Sequence, residues 1–130
     1  MKYKLASSSW DEKEIEAIRK VIDSDNYSMG NEVKEYEKEF AAFFNTKYAV
    51  MTSSGSTANL LMIASLFFTK NKKIAIKRGD EVIVPAVSWS TTYFPLQQYG
   101  LKLKFVDIDP DTLNFSIDDL KSSISKKTKA

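Results

Sequence analysis

Among its 130 residues the chain has no cysteine and no histidine. The first absence excludes disulfides, a thiolate nucleophile and Cys-ligated zinc. The second excludes a Ser-His-Asp relay and a His-ligated metal within this stretch. With only 4 glycines, the chain carries neither a Gly-Lys-Ser/Thr phosphate loop nor a GxGxxG fingerprint. Neither sign of charge prevails: 19 Lys and Arg against 17 Asp and Glu leave +2. That balance points away from nucleic acid and from a membrane surface as partners. No apolar run is long enough to span a bilayer, since Leu60 to Phe68 is short and internal. Met1 to Ser9 has no signal-peptide core, so the expected compartment is the cytoplasm. Chemistry must therefore come from a cofactor or from residues elsewhere.

What is present is a chain able to bury a core, with 43% hydrophobic residues and 8 Phe. Asp11 to Asp23 is amphipathic, with Ile15, Ile18 and Ile22 at helical spacing. Ser9 followed by Glu12 matches a capping box, which sets the expected helix start. Ser24 to Gly30 is a polar turn, and a second helix follows from Gly30 or Asn31. Its apolar face is Val33, Tyr36, Phe40, Phe43 and Phe44. Lys47 to Met51 reads as a short buried strand, and Leu60 to Phe68 as a helix buried on most sides. Further expected elements are a strand over 81–84, a helix from Ser90 to Tyr99 distorted near Pro95, and a strand over 102–107. Gly100 suits the residue after a helix. Ser116 caps a last helix, with Asp119 three residues on and Leu120 and Ile124 facing inward. The basic run Lys70, Lys72, Lys73, Lys77 and Arg78 reads as a solvated loop. The alternation β-α-β-α-β-α predicts an α/β fold, helices around a mainly parallel sheet. In such sheets ligands bind beyond the carboxyl ends of the strands. Three loops meet that condition: Thr52 to Asn59, Pro85 to Thr92 and Asp107 to Asp109.

The first of these loops, Thr52-Ser53-Ser54-Gly55-Ser56-Thr57-Ala58-Asn59, joins an expected strand to a helix. A helix N-terminus offers unpaired N–H groups and a partial positive charge, which suit a phosphate. Gly55 permits close approach to the backbone, and Ser54, Ser56 and Thr57 add hydroxyl donors. The stretch reads as a phosphate cup or, equally, as a capped helix after a strand. In the second loop Trp89 stands among Ser88, Ser90, Thr91 and Thr92. It is either a flat wall for a planar ring or a tryptophan packed in a core or interface. A cup on one loop and an aromatic plate on the next together suggest a flat, phosphorylated cofactor.

Several ordered segments resemble the DegT/StrS group of sugar aminotransferases, fold-type I pyridoxal-phosphate enzymes that act on nucleotide-linked sugars. They are Met29-Gly30 through Phe40-Ala41, Tyr48 to Leu60 with Ser54-Gly55-Ser56-Thr57, Gly79 to Pro85, and Phe105 to Asp109. The resemblance covers nearly the whole chain. It implies part of the large domain of such a transferase, with pyridoxal phosphate or pyridoxamine phosphate as cofactor. It implies that Gly55, Ser56 and Thr57 hold the cofactor phosphate and that Trp89 stacks on the pyridine ring. Met29 and Gly30 would lie near the sugar nucleotide. A narrower resemblance, in Ala6 to Trp10, Ser54 to Leu61, Pro85 to Thr92 and Thr112 to Asn114, is to the 4-keto-6-deoxysugar 3-dehydratase branch. That branch carries His where aminotransferases carry the cofactor-linking Lys.

The resemblance implies a homodimer acting on a nucleotide-linked 4-keto-6-deoxysugar in lipopolysaccharide biosynthesis. C-3 deoxygenation is favoured slightly over aminotransfer. A non-catalytic protein of the same fold and a nucleotide-binding α/β module stay open as alternatives. Lys126 to Ala130 reads as the lead into another strand, so a fragment of a longer protein is expected. The expected division is an N-terminal helical segment, 1–45, and the first half of a cofactor-binding domain, 46–130. The catalytic residue and the carboxylate that pairs with the pyridine nitrogen would fall beyond Ala130, and no metal is expected.

Overall fold

The computed structural model describes residues 6–130. The chain divides into two compact units, one ending at Met51 and the other running Thr52–Ala130.

In the first unit, helix α1 (Glu12–Asp23) is capped by Asp11 rather than Ser9. Asp11 accepts the Lys13 N–H at 2.8 Å, and its own N–H donates to Glu14 at 2.7 Å. The capping box thus lies two residues beyond the expected one, because Asp11 and Glu14 satisfy each other reciprocally. Helix α2 (Asn31–Phe43) starts after Gly30 without a side-chain cap. Along it Tyr36, Phe40 and Phe44 form a ladder of tilted rings, with centroids 5.6 and 4.7 Å apart. This is the i, i+4 pairing of one helix face. Residues 47–51 do not form the expected strand. A strand needs a ladder partner, and among the described residues none pairs there. The Met51 N–H donates instead to the Glu37 carboxylate at 2.8 Å.

The second unit is a βαβ arrangement with helix α3 packed against it. Its elements are α3 (Gly55–Phe68), β1 (Glu81–Pro85), α4 (Ser90–Gln98), β2 (Lys102–Val106) and α5 (Ile117–Ser123). β1 and β2 run parallel, in a register from Glu81 opposite Lys102 to Pro85 opposite Val106. Thr128 bridges Glu81 in parallel on the other edge of β1. There the Lys129 N–H donates to the Glu81 carbonyl and the Ile83 N–H to the Ala130 carbonyl. The expected lead into a further strand is thus seated on the sheet.

β1 alternates as a half-buried strand should, placing Val82 and Val84 inward. They join Ile76, Leu96 and Leu101 in the core, with Ile63, Leu66 and Phe67 of α3 packed on it. The spacing 63, 66, 67 is one stripe of a helix. So α3 is buried on one side, not on most: Phe68 is 79% exposed. Ser116 caps α5 as expected, accepting the Asp119 N–H. Ile124 is not inward, because it follows the helix as its C-cap and is exposed. The charged residues of the basic run, Lys70, Lys72, Lys73, Lys77 and Arg78, are exposed, while Ile76 among them is buried in the core.

Gly100 follows α4 with φ +71, a conformation costly for residues that carry a Cβ. A Cβ there would also meet the Arg78 guanidinium, whose flexible end can swing aside. Gly100→Ala is expected to destabilise by about 1–2 kcal/mol, read as a lower midpoint in urea with an unchanged slope.

Candidate functional site

The sheet presents the carboxyl ends of β1 and β2 side by side, with the Ala86 N–H donating to the Val106 carbonyl at 2.7 Å. The loop after β1 then climbs to α4. Trp89 is the N-cap residue of α4, and its side chain makes no capping bond. Trp89 is 76% exposed, so it is not packed in the core formed by the described residues. Its loop is nonetheless fixed. Tyr93 donates its hydroxyl to the Pro85 carbonyl at 2.6 Å. The Ser88 and Thr92 hydroxyls are 3.1 Å apart, and the Thr92 N–H donates to the Trp89 carbonyl at 2.9 Å.

α3 begins at Gly55, with Ser54 as its cap. Ser54 Oγ accepts the Thr57 N–H at 3.2 Å, while Thr57 Oγ1 accepts the Ser54 N–H at 3.0 Å. The Thr57 hydroxyl also donates to the Ser54 carbonyl at 2.8 Å. Both polar groups of Thr57 are therefore engaged in building the helix start. The N–H groups of Gly55 and Ser56 and the Ser56 hydroxyl have no acceptor among the described residues. A Cβ built on Gly55 would meet nothing within 4 Å, and its φ is not in the left-handed region. Among the described residues, neither packing nor backbone conformation thus demands glycine at this position. Close approach of something outside the chain is the physical reason left for it.

The helix starts of α3 and α4 share a cleft of about 200 Å³, lined by Ser56, Thr57, Thr91 and Phe94 among others. Trp89 is not part of that lining. The two helices are tied by a side-chain bond in which Asn59 Nδ2 donates to the Thr91 carbonyl at 3.1 Å. Neither Asn59 nor Tyr93 was singled out from sequence. A signal existed only for the acceptor of the Asn59 bond: Pro95 lies inside α4, and a helical proline orphans the carbonyl four residues before it, that of Thr91.

The third loop is built as a turn. Asp109 accepts the Asp111 and Thr112 N–H groups at 2.8 and 3.0 Å. The backbone bond from Thr112, then that from Asp111, holds its carboxyl below the usual carboxylate value. Met29 and Gly30 belong to the first unit. Met29 is exposed, and Gly30 lines a recess of about 330 Å³ with Lys20, Asn26, Tyr27 and Ser28. Among the described residues no acidic cluster is placed to hold a metal ion. No helix there is long and apolar enough to cross a membrane.

Comparison with known proteins gives a consistent result. Residues 8–130 match the DegT/DnrJ/EryC1/StrS aminotransferase family. The chain is 69% identical over 128 residues to a GDP-4-keto-6-deoxy-D-mannose 3-dehydratase of Yersinia pseudotuberculosis, covering 98% of this chain and 32% of the relative. A solved E. coli GDP-4-keto-6-deoxy-D-mannose-3-dehydratase with bound hydrated PLP superposes with a TM-score of 0.90. It is 62% identical, over 98% of this chain and 32% of that one. A Streptococcus pneumoniae protein assigned as a sugar aminotransferase, solved in its PMP form, is more distant, with a TM-score of 0.79 and 28% identity over 92% of this chain and 28% of that one. The chain thus spans about a third of the length of the relatives it matches.

Proposed function

The chain belongs to the DegT/DnrJ/EryC1/StrS aminotransferase family, and from that premise we propose that it forms part of an enzyme using pyridoxal or pyridoxamine phosphate on a nucleotide-linked 4-keto-6-deoxysugar. The observation that carries the reading is the start of α3. Two N–H groups and a hydroxyl without partners among the described residues lie at a glycine that none of those residues requires. This donor set fits a phosphate ester. Trp89, exposed at the next helix start, fits the face of a pyridine ring.

When bound there, the cofactor supplies an electron sink for bond cleavage beside an amine. This chain's residues bind and orient. Gly55 and Ser56 donate to the phosphate, and Trp89 covers one ring face. Thr57 keeps the donors aimed through its bonds with Ser54, and adds its own hydroxyl only by leaving them. Met29 and Gly30 are assigned to the sugar nucleotide. The division at residue 45, the cytoplasmic location, the role in lipopolysaccharide biosynthesis and the homodimer belong to the same proposal. C-3 deoxygenation is favoured because the 69% identical relative is a 3-dehydratase, whereas GDP-perosamine synthase of E. coli O157:H7 is 33% identical. Aminotransfer is the second reading, favoured by the family's own description.

The test uses the full-length protein with a GDP-4-keto-6-deoxysugar, the cofactor and an amino donor. A 3-deoxy product supports the first reading, an aminosugar the second, and no reaction with either cofactor form refutes both. Trp89→Ala is expected to weaken pyridoxal phosphate binding about threefold to tenfold, the value of one ring stack, with the unfolding midpoint unchanged. Equal affinity in the variant, measured by equilibrium dialysis, would rule out stacking.

A further inference from the structure

Pro95 sits at the sixth position of α4, beyond the first turn where proline is harmless. The carbonyl it leaves without a helical donor is that of Thr91. Thr91 is half-buried, and leaving its carbonyl unpaired would be costly. Asn59 of α3 supplies the missing donor at 3.1 Å. It is the one side-chain hydrogen bond between α3 and α4 among the described residues. The positions at its two ends are informative. Asn59 lies one helical turn after Gly55, on the same face of α3. Thr91 lies two residues after Trp89. The other bonds of this loop, from Tyr93, from Ala86 to Val106 and between Ser88 and Thr92, tie it to the sheet or to itself. Among the described residues, only the Asn59 side chain ties it by a hydrogen bond to the helix that bears the free N–H groups.

We propose that Asn59 is a positioning residue, which uses the carbonyl orphaned by Pro95 to hold Trp89 at a set distance and tilt from the Gly55–Ser56 donors. The pair Asn59 and Pro95 acts as a unit. A residue with an N–H at position 95 would satisfy Thr91 within α4 and leave Asn59 dispensable for stability. The proline forces the bond to come from the neighbouring helix, and so couples the two helix starts. This inference rests on the assignment of those starts to one phosphorylated, planar ligand.

A four-member cycle in the full-length protein tests it: wild type, Asn59→Leu, Pro95→Ala and the double variant. The probes are pyridoxal phosphate affinity, the circular dichroism induced in the bound cofactor, and the thermal midpoint. Asn59→Leu is expected to lower the midpoint, weaken affinity on the order of tenfold and change the induced dichroism. In the double variant the Pro95→Ala substitution restores a backbone donor to the Thr91 carbonyl. Its midpoint should return to that of Pro95→Ala alone, while affinity and dichroism stay impaired. A role confined to satisfying the carbonyl would make all three recover together, and that result overturns the proposal. So does wild-type affinity in Asn59→Leu. If the leucine variant fails to fold, Asn59→Ser, too short to reach Thr91, takes its place in the same cycle. A wild type that takes up no pyridoxal phosphate overturns the functional assignment itself. Loss of positioning with normal wild-type uptake bears on Asn59 alone.

Discussion

Gly55→Ala in the full-length protein is expected to fold at least as stably as wild type and to bind pyridoxal phosphate on the order of a hundredfold more weakly. The two effects have opposite signs because they arise from different physics. Alanine is a better helix former than glycine, the φ at Gly55 is one that alanine accepts, and the added methyl group meets nothing within 4 Å. The folded chain by itself therefore loses nothing. A phosphate held by the Gly55 and Ser56 N–H groups must come within about 2.9 Å of nitrogen, and the methyl group intrudes on that approach. Hydrogen bonds to a charged group contribute about 1.5–3 kcal/mol each. Losing one outright gives roughly tenfold to a hundredfold, and displacing both gives the upper figure or more. Isothermal titration with the cofactor and a urea melt on the same samples make the comparison. A variant that binds normally would return the start of α3 to an ordinary capped helix. One that binds weakly and is also unstable would show that glycine serves the fold.

The candidate site was legible to the extent that it is local. Ser54, Gly55, Ser56 and Thr57 announce a helix start because capping is decided within four residues. β1 and β2 were legible because their pattern alternates or runs apolar between turns. Two kinds of feature were not. Choosing between Ser9 and Asp11 as the cap of α1 requires knowing which of two overlapping boxes closes reciprocally. The acidic pair, Asp11 and Glu14, does so. Features set by long-range pairing were also hidden. Residues 47–51 have the composition of a strand, but strand character depends on a partner that composition does not name. The bond from Asn59 to Thr91 spans 32 residues. Only one end of it, the carbonyl four residues before Pro95, follows from a sequence rule. The single buried side of α3 belongs here too, since an apolar helix says how much surface seeks cover and not how much is covered.

The 130-residue chain alone is expected to be catalytically silent with pyridoxal phosphate, an amino donor and a 4-ketosugar nucleotide. It holds no His and no Cys, and among its described residues the groups assigned to the cofactor are N–H donors, hydroxyls and one indole. These orient; none of them moves a proton at the reacting carbon. On the proposed reading, the proton-transfer residue and the carboxylate partner of the ring nitrogen are supplied by residues other than those described. Without that carboxylate the ring is a poor electron sink, even if it is held. A cup and one stacking face provide binding on the order of −4 kcal/mol, a Kd of about 1 mM. The chain also exposes large apolar side chains in both units, Phe43 at 82% and Phe68 at 79%, so self-association at working concentrations is expected. The assay is product formation by mass spectrometry beside borohydride trapping of the cofactor. No product and no stoichiometric adduct are expected. Turnover, or trapping at a single Lys in one-to-one ratio, would show that this stretch already contains the proton-transfer machinery, and the assignment of its residues to binding and orientation would fall.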